Sequence, residues 1–180
     1  MKIESTPIEG LKIIRPSVFT DPRGYFFESW NEKLFSDNGI NVKFVQDNQS
    51  LSQKDVLRGL HFQAPPFAQA KLVRVITGAV LDIAVDIRKK SPTYGKYFSI
   101  ELTEENKTMF FMPEGFAHGF LTLRDNTTFV YKCSGYYNKN SEGTVLWNDG
   151  TIGIEWGIQD PLLSAKDELG TRMKDFTSPF

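Results

Sequence analysis

His61 and His118 are the only two imidazoles in this chain of 180 residues, and each sits in a segment punctuated by glycine. His61 lies in Leu57-Arg58-Gly59-Leu60-His61-Phe62-Gln63, and His118 in Pro113-Glu114-Gly115-Phe116-Ala117-His118-Gly119-Phe120. Histidine is the one side chain whose unperturbed pKa puts its charge change near neutral pH, so it suits proton transfer. A hydrogen-bonded core histidine is the plainer reading of each. With so few in the chain, both in glycine-flanked strand-like runs, general acid–base chemistry is the sharper one.

Those residues need a scaffold, and the pattern around them is that of short strands. Lys71–Ile76 alternates; Ala79–Ile87 follows with Leu81, Ile83, Val85 and Ile87 on one face and Asp82, Ala84 and Asp86 on the other. Further strands are expected over Lys12–Phe19, Tyr25–Trp30, Val42–Gln49, Leu57–Gln63, Tyr97–Leu102, Thr108–Met112, Gly119–Leu123 and Thr127–Ser134. Turn signals separate them, among them Asp21-Pro22-Arg23-Gly24 and Arg124-Asp125-Asn126. Only Glu32–Asn38, closed by Gly39, reads as a helix, with a weaker candidate after Ser164. Many short strands at even spacing predict an all-β jelly-roll sandwich or barrel in one domain over residues 1–180. No strand–helix–strand rhythm or glycine-rich phosphate loop argues for a nucleotide-binding α/β domain.

Composition narrows the classes. Lys and Arg number 21 against 22 Asp and Glu, a balance unlike that of proteins that coat nucleic acid or membrane surfaces. No apolar run approaches the roughly 20 residues of a membrane-spanning helix, and the first residues lack a secretion pattern. The lone Cys133 forms no internal disulfide, which fits a reducing compartment, with the cytoplasm as the default expectation. Aromatic residues reach 13 %, enough to serve a β core, a stacking pocket or both.

Pro113-x-Gly115-x-x-His118 resembles the second motif of the metal-binding cupin jelly rolls. The first cupin motif is broken, because Gln63 stands where a second histidine is expected after His61. With two histidines, a three-nitrogen metal site cannot be assembled in one chain, which leaves two histidines plus carboxylates as the metal alternative; a cupin-like barrel working without metal or other cofactor is expected. Strict alternation puts Arg58 and His61 on opposite faces. A bulge at Gly59 brings both to one pocket; otherwise Arg58 serves a neighbouring loop.

An ordered set of blocks sharpens the resemblance. Asp21-Pro22-Arg23-Gly24-Tyr25-Phe26-Phe27-Glu28-Ser29, Phe44-Val45-Gln46-Asp47-Asn48, Val56 to Gln63, Lys71 to Val75, Pro113 to Phe120, Tyr131-Lys132, Tyr136-Tyr137, Glu142-Gly143, Trp147-Asn148-Asp149 and Ser164-Ala165-Lys166-Asp167 follow one another. Together they resemble the dTDP-4-dehydrorhamnose 3,5-epimerase family from about Arg15 to Asp167. That family inverts two carbons flanking a ketone on a deoxyhexose carried by thymidine diphosphate, on the route to dTDP-L-rhamnose for cell-surface polysaccharide.

The resemblance implies roles. His61 is the base, Asp167 the carboxylate that fixes its tautomer, Tyr131 the acid on the opposite face and Lys71 the cation for the enolate oxygen. His118 orients the sugar, although the sequence leaves a reversed assignment of the two histidines open. Arg23, Arg58 and Lys166 are implied for the diphosphate, Phe26 and Tyr137 for stacking on thymine, and Gln46, Asn48, Glu28 and Glu142 for polar contacts to nucleotide and sugar. The family also implies a homodimer in which the segment around Arg23–Ser29 completes the partner's site. Two other readings share much of the pattern: an epimerase of C3 or C5 alone, and a jelly-roll sugar-binding module without catalysis. The second has no need of a histidine–carboxylate pair facing a tyrosine.

Overall fold

The computed structural model describes Met1–Phe180. Its elements, in order, are β1 (Lys2–Ser5), β2 (Lys12–Arg15), β3 (Phe19–Asp21), β4 (Gly24–Phe26), α1 (Glu32–Asp37), β5 (Gln46–Ser52), β6 (Leu57–Gln63), β7 (Lys71–Thr77) and β8 (Ala79–Asp86). There follow β9 (Tyr97–Thr103), β10 (Met109–Met112), β11 (Phe116–Thr122), β12 (Thr127–Cys133), β13 (Glu142–Thr144) and α2 (Ala165–Glu168). A six-stranded sheet runs β1-β2-β10-β7-β12-β5, and a five-stranded sheet runs β13-β6-β11-β8-β9. Every pairing within the sheets is antiparallel. The two sheets make the expected cupin-like jelly roll. No helix is long and apolar enough to cross a membrane.

Where the strands depart from expectation, the cause is local. The expected run Lys12–Phe19 stops at Arg15, because Pro16 has no N–H to give to a ladder. The expected Tyr25–Trp30 strand shrinks to β4, which pairs only with β3 in a separate hairpin. Residues Val42 and Phe44 are apolar because they pack under α1, where Phe44 meets Trp30 edge-on at 4.7 Å, so the strand begins only at Gln46. Two short strands, β1 and β13, carry too few residues to show a period. Asn31 caps α1 by accepting from the Leu34 N–H, as helix starts require.

Val73, Val75, Val80, Ala84, Phe110, Phe120 and Phe129 fill the space between the sheets. A second cluster covers the outer side of the five-stranded sheet, where Val145, Trp147, Ile152 and Trp156 pack on Leu57, Leu60, Ile83 and Val85. The C-terminal segment therefore covers the outer side of β6, β8 and β11, and that side is apolar. The face of β8 bearing Asp82 and Ala84 points into the molecule, and both Asp82 and Asp86 are wholly buried. Asp86 is satisfied by Arg88, Ser91 and Thr93 at its own strand end.

Candidate active site

Register builds the site. Across β5, β12 and β7, residues Gln46, Cys133 and Lys71 form one row, Asn48, Tyr131 and Val73 the next, and Ser50, Phe129 and Val75 the third. On the facing sheet, His61, His118 and Ala84 form a row across β6, β11 and β8. The next row is Arg58, Phe120 and Asp82. Two residues of β6, Gly59 and Leu60, stand opposite Gly119 alone, so the ladder slips between those rows. This bulge cancels the alternation and brings Arg58 and His61 to one cavity. Gly59 is required there. Its φ is +133°, and a Cβ would lie 2.4 Å from the Gly119 Cα.

Two adjoining hollows open between the sheets. One, of about 330 Å³, is lined by Ser50, Arg58, His118, Phe129 and Asp167 among others. The other, of about 340 Å³, is lined by Gln46, Asn48, Cys133, Tyr137 and Glu142 among others. His61, Lys71 and Tyr131 line both and so stand where the hollows meet. A ligand long enough to occupy the two lobes passes these three side chains at its middle.

At that neck His61 Nε2 lies 2.5 Å from Asp167 Oδ1. With a proton on Nε2, Nδ1 keeps its lone pair and has no protein partner. Asp167 also accepts from the Ser164 hydroxyl at 2.7 Å and, weakly, from the Gly59 N–H at 3.4 Å. Burial alone raises the Asp167 carboxyl; the bonds from His61 and Ser164 outweigh it and hold the group below the usual carboxylate range. An ionised Asp167 stabilises an imidazolium as it forms. Tyr131 moves the other way: burial, with Cys133 adding to it, pushes its phenol above the ordinary value. It is a protonated donor throughout the neutral range. The Lys71 ammonium sits 5.9 Å from the centroid of the Tyr131 ring, and burial pulls its pKa below the usual lysine value.

His118 is held differently. Its Nε2 lies 3.0 Å from both carboxylate oxygens of Asp82. Burial works against charge on both partners, raising the Asp82 carboxyl and lowering the His118 imidazole, and their contact offsets part of each shift. The His118 ring stacks on Phe129 at 6.2 Å, and Phe120 stacks on Phe129 at 4.2 Å, giving one lobe an aromatic floor. Asp82 and Ser164 were not legible as site residues. For Asp82 the available signal is an acidic residue four before Asp86, on the same face of a strongly apolar strand.

The remaining expected residues divide into two groups. Arg58 reaches the cavity with its Nε bonded to Ser52 at 3.2 Å. Lys166 pairs with Glu142, and the Tyr137 hydroxyl donates to Glu142 at 3.3 Å. Gln46 accepts from the Tyr137 N–H at 3.0 Å and donates to Asn48 at 3.1 Å. Arg23, Phe26 and Glu28, in contrast, do not reach this cavity in their own chain. The Arg23 side chain is 90 % exposed and paired with Asp21 on the β3–β4 hairpin, Phe26 is 68 % exposed, and Glu28 accepts from Asn31. No group of three or more His, Cys, Asp and Glu side chains converges anywhere in the chain.

The model of the family described as dTDP-4-dehydrorhamnose 3,5-epimerase matches residues 5–175. The chain belongs to this epimerase family. It is 52 % identical over 176 residues to the dTDP-4-dehydrorhamnose 3,5-epimerase of Shigella flexneri, with 97 % of each chain covered. Its fold superposes with a TM-score of 0.92 on the Elizabethkingia anophelis epimerase, at 49 % identity and 97 % of each chain. A Legionella pneumophila epimerase solved with dTDP-4-keto-L-rhamnose matches at a TM-score of 0.93 and 44 % identity, covering 96 % of this chain and 93 % of that one. The fold of this chain is thus shared with solved epimerases of the family over nearly their whole length.

Proposed function

We propose that the protein inverts C3 and C5 of dTDP-4-dehydro-6-deoxy-D-glucose, giving dTDP-4-dehydro-L-rhamnose for dTDP-L-rhamnose synthesis. The observation that carries the reading is the meeting of the His61–Asp167 pair with Lys71 and Tyr131 at the neck between the two lobes. A proton next to a ketone must leave on one face of the sugar and return on the other. His61 Nδ1 takes the proton from C3, and the C–H electrons pass into the C4 carbonyl to form an enolate. The Lys71 ammonium holds the enolate oxygen. Tyr131 delivers its hydroxyl proton to C3 from the opposite face, and solvent restores both groups before the same steps act at C5. Each positioned acid or base typically supplies about 10²–10⁴-fold.

The reading uses side chains alone and assigns no metal or cofactor. His118, fixed by Asp82, orients the hexose. Arg58 and Lys166 serve the diphosphate, while Tyr137, Gln46, Asn48 and Glu142 serve the nucleotide and its sugar. Arg23, Phe26 and Glu28 enter through a homodimer, in which the β3–β4 hairpin of one chain completes the site of the other. Supporting this are their distance from their own cavity and the exposure of Phe19, Tyr25 and Phe26, each more than half open to solvent. Exposed aromatic clusters of this kind mark binding surfaces. The lone thiol and the nucleotide-sugar substrate suit a cytoplasmic enzyme. Incubation with the substrate in deuterated buffer tests the reaction: label at C3 and C5 is expected, and label at one carbon only would make the protein a single-site epimerase.

A further inference from the structure

The inward face of β5 is polar along its length, with Gln46, Asn48, Ser50 and Ser52 at alternate positions. The side chains of Gln46, Asn48 and Ser52 have protein partners: Gln46 meets Asn48 and the Tyr137 N–H, Asn48 donates to the Cys133 thiol at 3.6 Å, and Ser52 accepts from Arg58. Ser50 has none. Its hydroxyl oxygen is buried yet makes no hydrogen bond, and Ser50 lines the lobe that holds His61, Lys71, His118 and Tyr131. Buried polar atoms are almost always satisfied; Ser50 Oγ and Thr122 Oγ1 are the two exceptions, and of these Ser50 lines the lobe, where an entering ligand can supply the partner.

We infer that the Ser50 hydroxyl binds a ring hydroxyl of the hexose and is a specificity-determining contact for the sugar. Ser50 is the register partner of Phe129, whose ring stacks with Phe120 and His118. That surface suits the apolar face of a sugar ring, and sugar hydroxyls then project at its rim. A serine hydroxyl both donates and accepts, which matches an alcohol. The cations of this lobe, Arg58 and Lys166, suit the diphosphate, which leaves the neutral serine hydroxyl to the sugar. The inference rests on the epimerase reading, because it needs the hexose in this lobe.

The test is Ser50→Ala, compared with wild type in three measurements. The ligand-free variant should melt at or above the wild-type temperature, since no bond within the protein is lost; a clear fall would show a structural hydroxyl and overturn the assignment. By titration calorimetry, dTDP affinity should be unchanged while dTDP-glucose affinity falls about 2- to 10-fold, the worth of one net hydrogen bond. Equal weakening of both ligands would move the contact to the diphosphate, and no weakening of either would leave the hydroxyl to water; both overturn the proposal. In turnover, KM for the dehydrated sugar nucleotide should rise with kcat less affected. A wild-type protein that fails to exchange substrate protons would defeat the epimerase reading itself, a result separable from any behaviour of Ser50→Ala.

Discussion

His61 and His118 are register partners across β6 and β11, yet their Nε2 atoms turn to different carboxylates, Asp167 at 2.5 Å and Asp82 at 3.0 Å. The pairs also differ in access: the His61 side chain is 28 % exposed and that of His118 is 7 %. A proton-transfer base must reach substrate and exchange with solvent, and His61 meets both demands better. His61→Asn should therefore lower epimerisation and solvent exchange at both carbons by about 10²–10⁴-fold, with dTDP binding retained. His118→Asn should raise KM more than it lowers kcat. Double inversion surviving in His61→Asn would move the base to His118.

Tyr131→Phe separates abstraction from inversion. The base remains, so substrate protons still wash out, but return from the far face loses its donor. Exchange should exceed inversion in this variant, as read by mass spectrometry against product stereochemistry. Burial raises the Tyr131 phenol and lowers the Lys71 ammonium, so an alkaline fall in the wild-type rate below about pH 10, the ordinary phenol value, should come from Lys71 and not from Tyr131. Tyr131→Phe should keep that fall in its exchange rate; its disappearance would assign it to the phenol.

Asp167 links the site to stability. Its folded pKa is depressed, so its bonds stabilise the fold fully above the unfolded carboxylate value of about 3.9 and lose that contribution as pH falls through the folded value. Asp167→Asn should thus be less stable than wild type at pH 6, with the gap closing in acid. Denaturant titrations at several pH values check this, and a gap constant down to pH 2 would contradict it.

The bulge at Gly59 is as necessary as the side chains it positions. Gly59→Ala adds a Cβ in contact with the Gly119 backbone at a φ that alanine rarely adopts. Destabilisation of roughly 2–4 kcal/mol is expected by chemical denaturation, with activity lost because Arg58 and His61 no longer share a face. An alanine variant as stable as wild type would mean that the strand relaxes without the bulge.

The dimer proposal has a complementation test. Phe26→Ala chains keep an intact pocket, and His61→Asn chains keep an intact hairpin. Each should be nearly inactive alone, and mixing them under conditions that exchange subunits should restore activity. No recovery on mixing, with exchange demonstrated, would confine the site to one chain.

What the sequence disclosed depended on what each residue answers to. Strands β6, β7, β8 and β12 were visible because their apolar residues recur for packing, and the Gly59 bulge because Arg58 and His61 otherwise part company. β5 was placed too early, since its inward face is polar and the apolar residues ahead of it serve α1 instead. Asp82 was passed over because a two-residue period tells which residues share a face, not which face is covered. The C-terminal segment, by burying the outer side of β8, turned Asp82 inward against His118. Long-range cover of that kind leaves no local trace.

The central claim is proton transfer next to the ketone by His61, at both flanking carbons. Purified protein incubated with dTDP-4-dehydro-6-deoxy-D-glucose in deuterated buffer, followed by NMR, measures it directly. The account predicts deuterium at C3 and at C5, inverted configuration at each, and neither in His61→Asn. A wild-type protein that binds the sugar nucleotide and leaves both carbons unlabelled would contradict it.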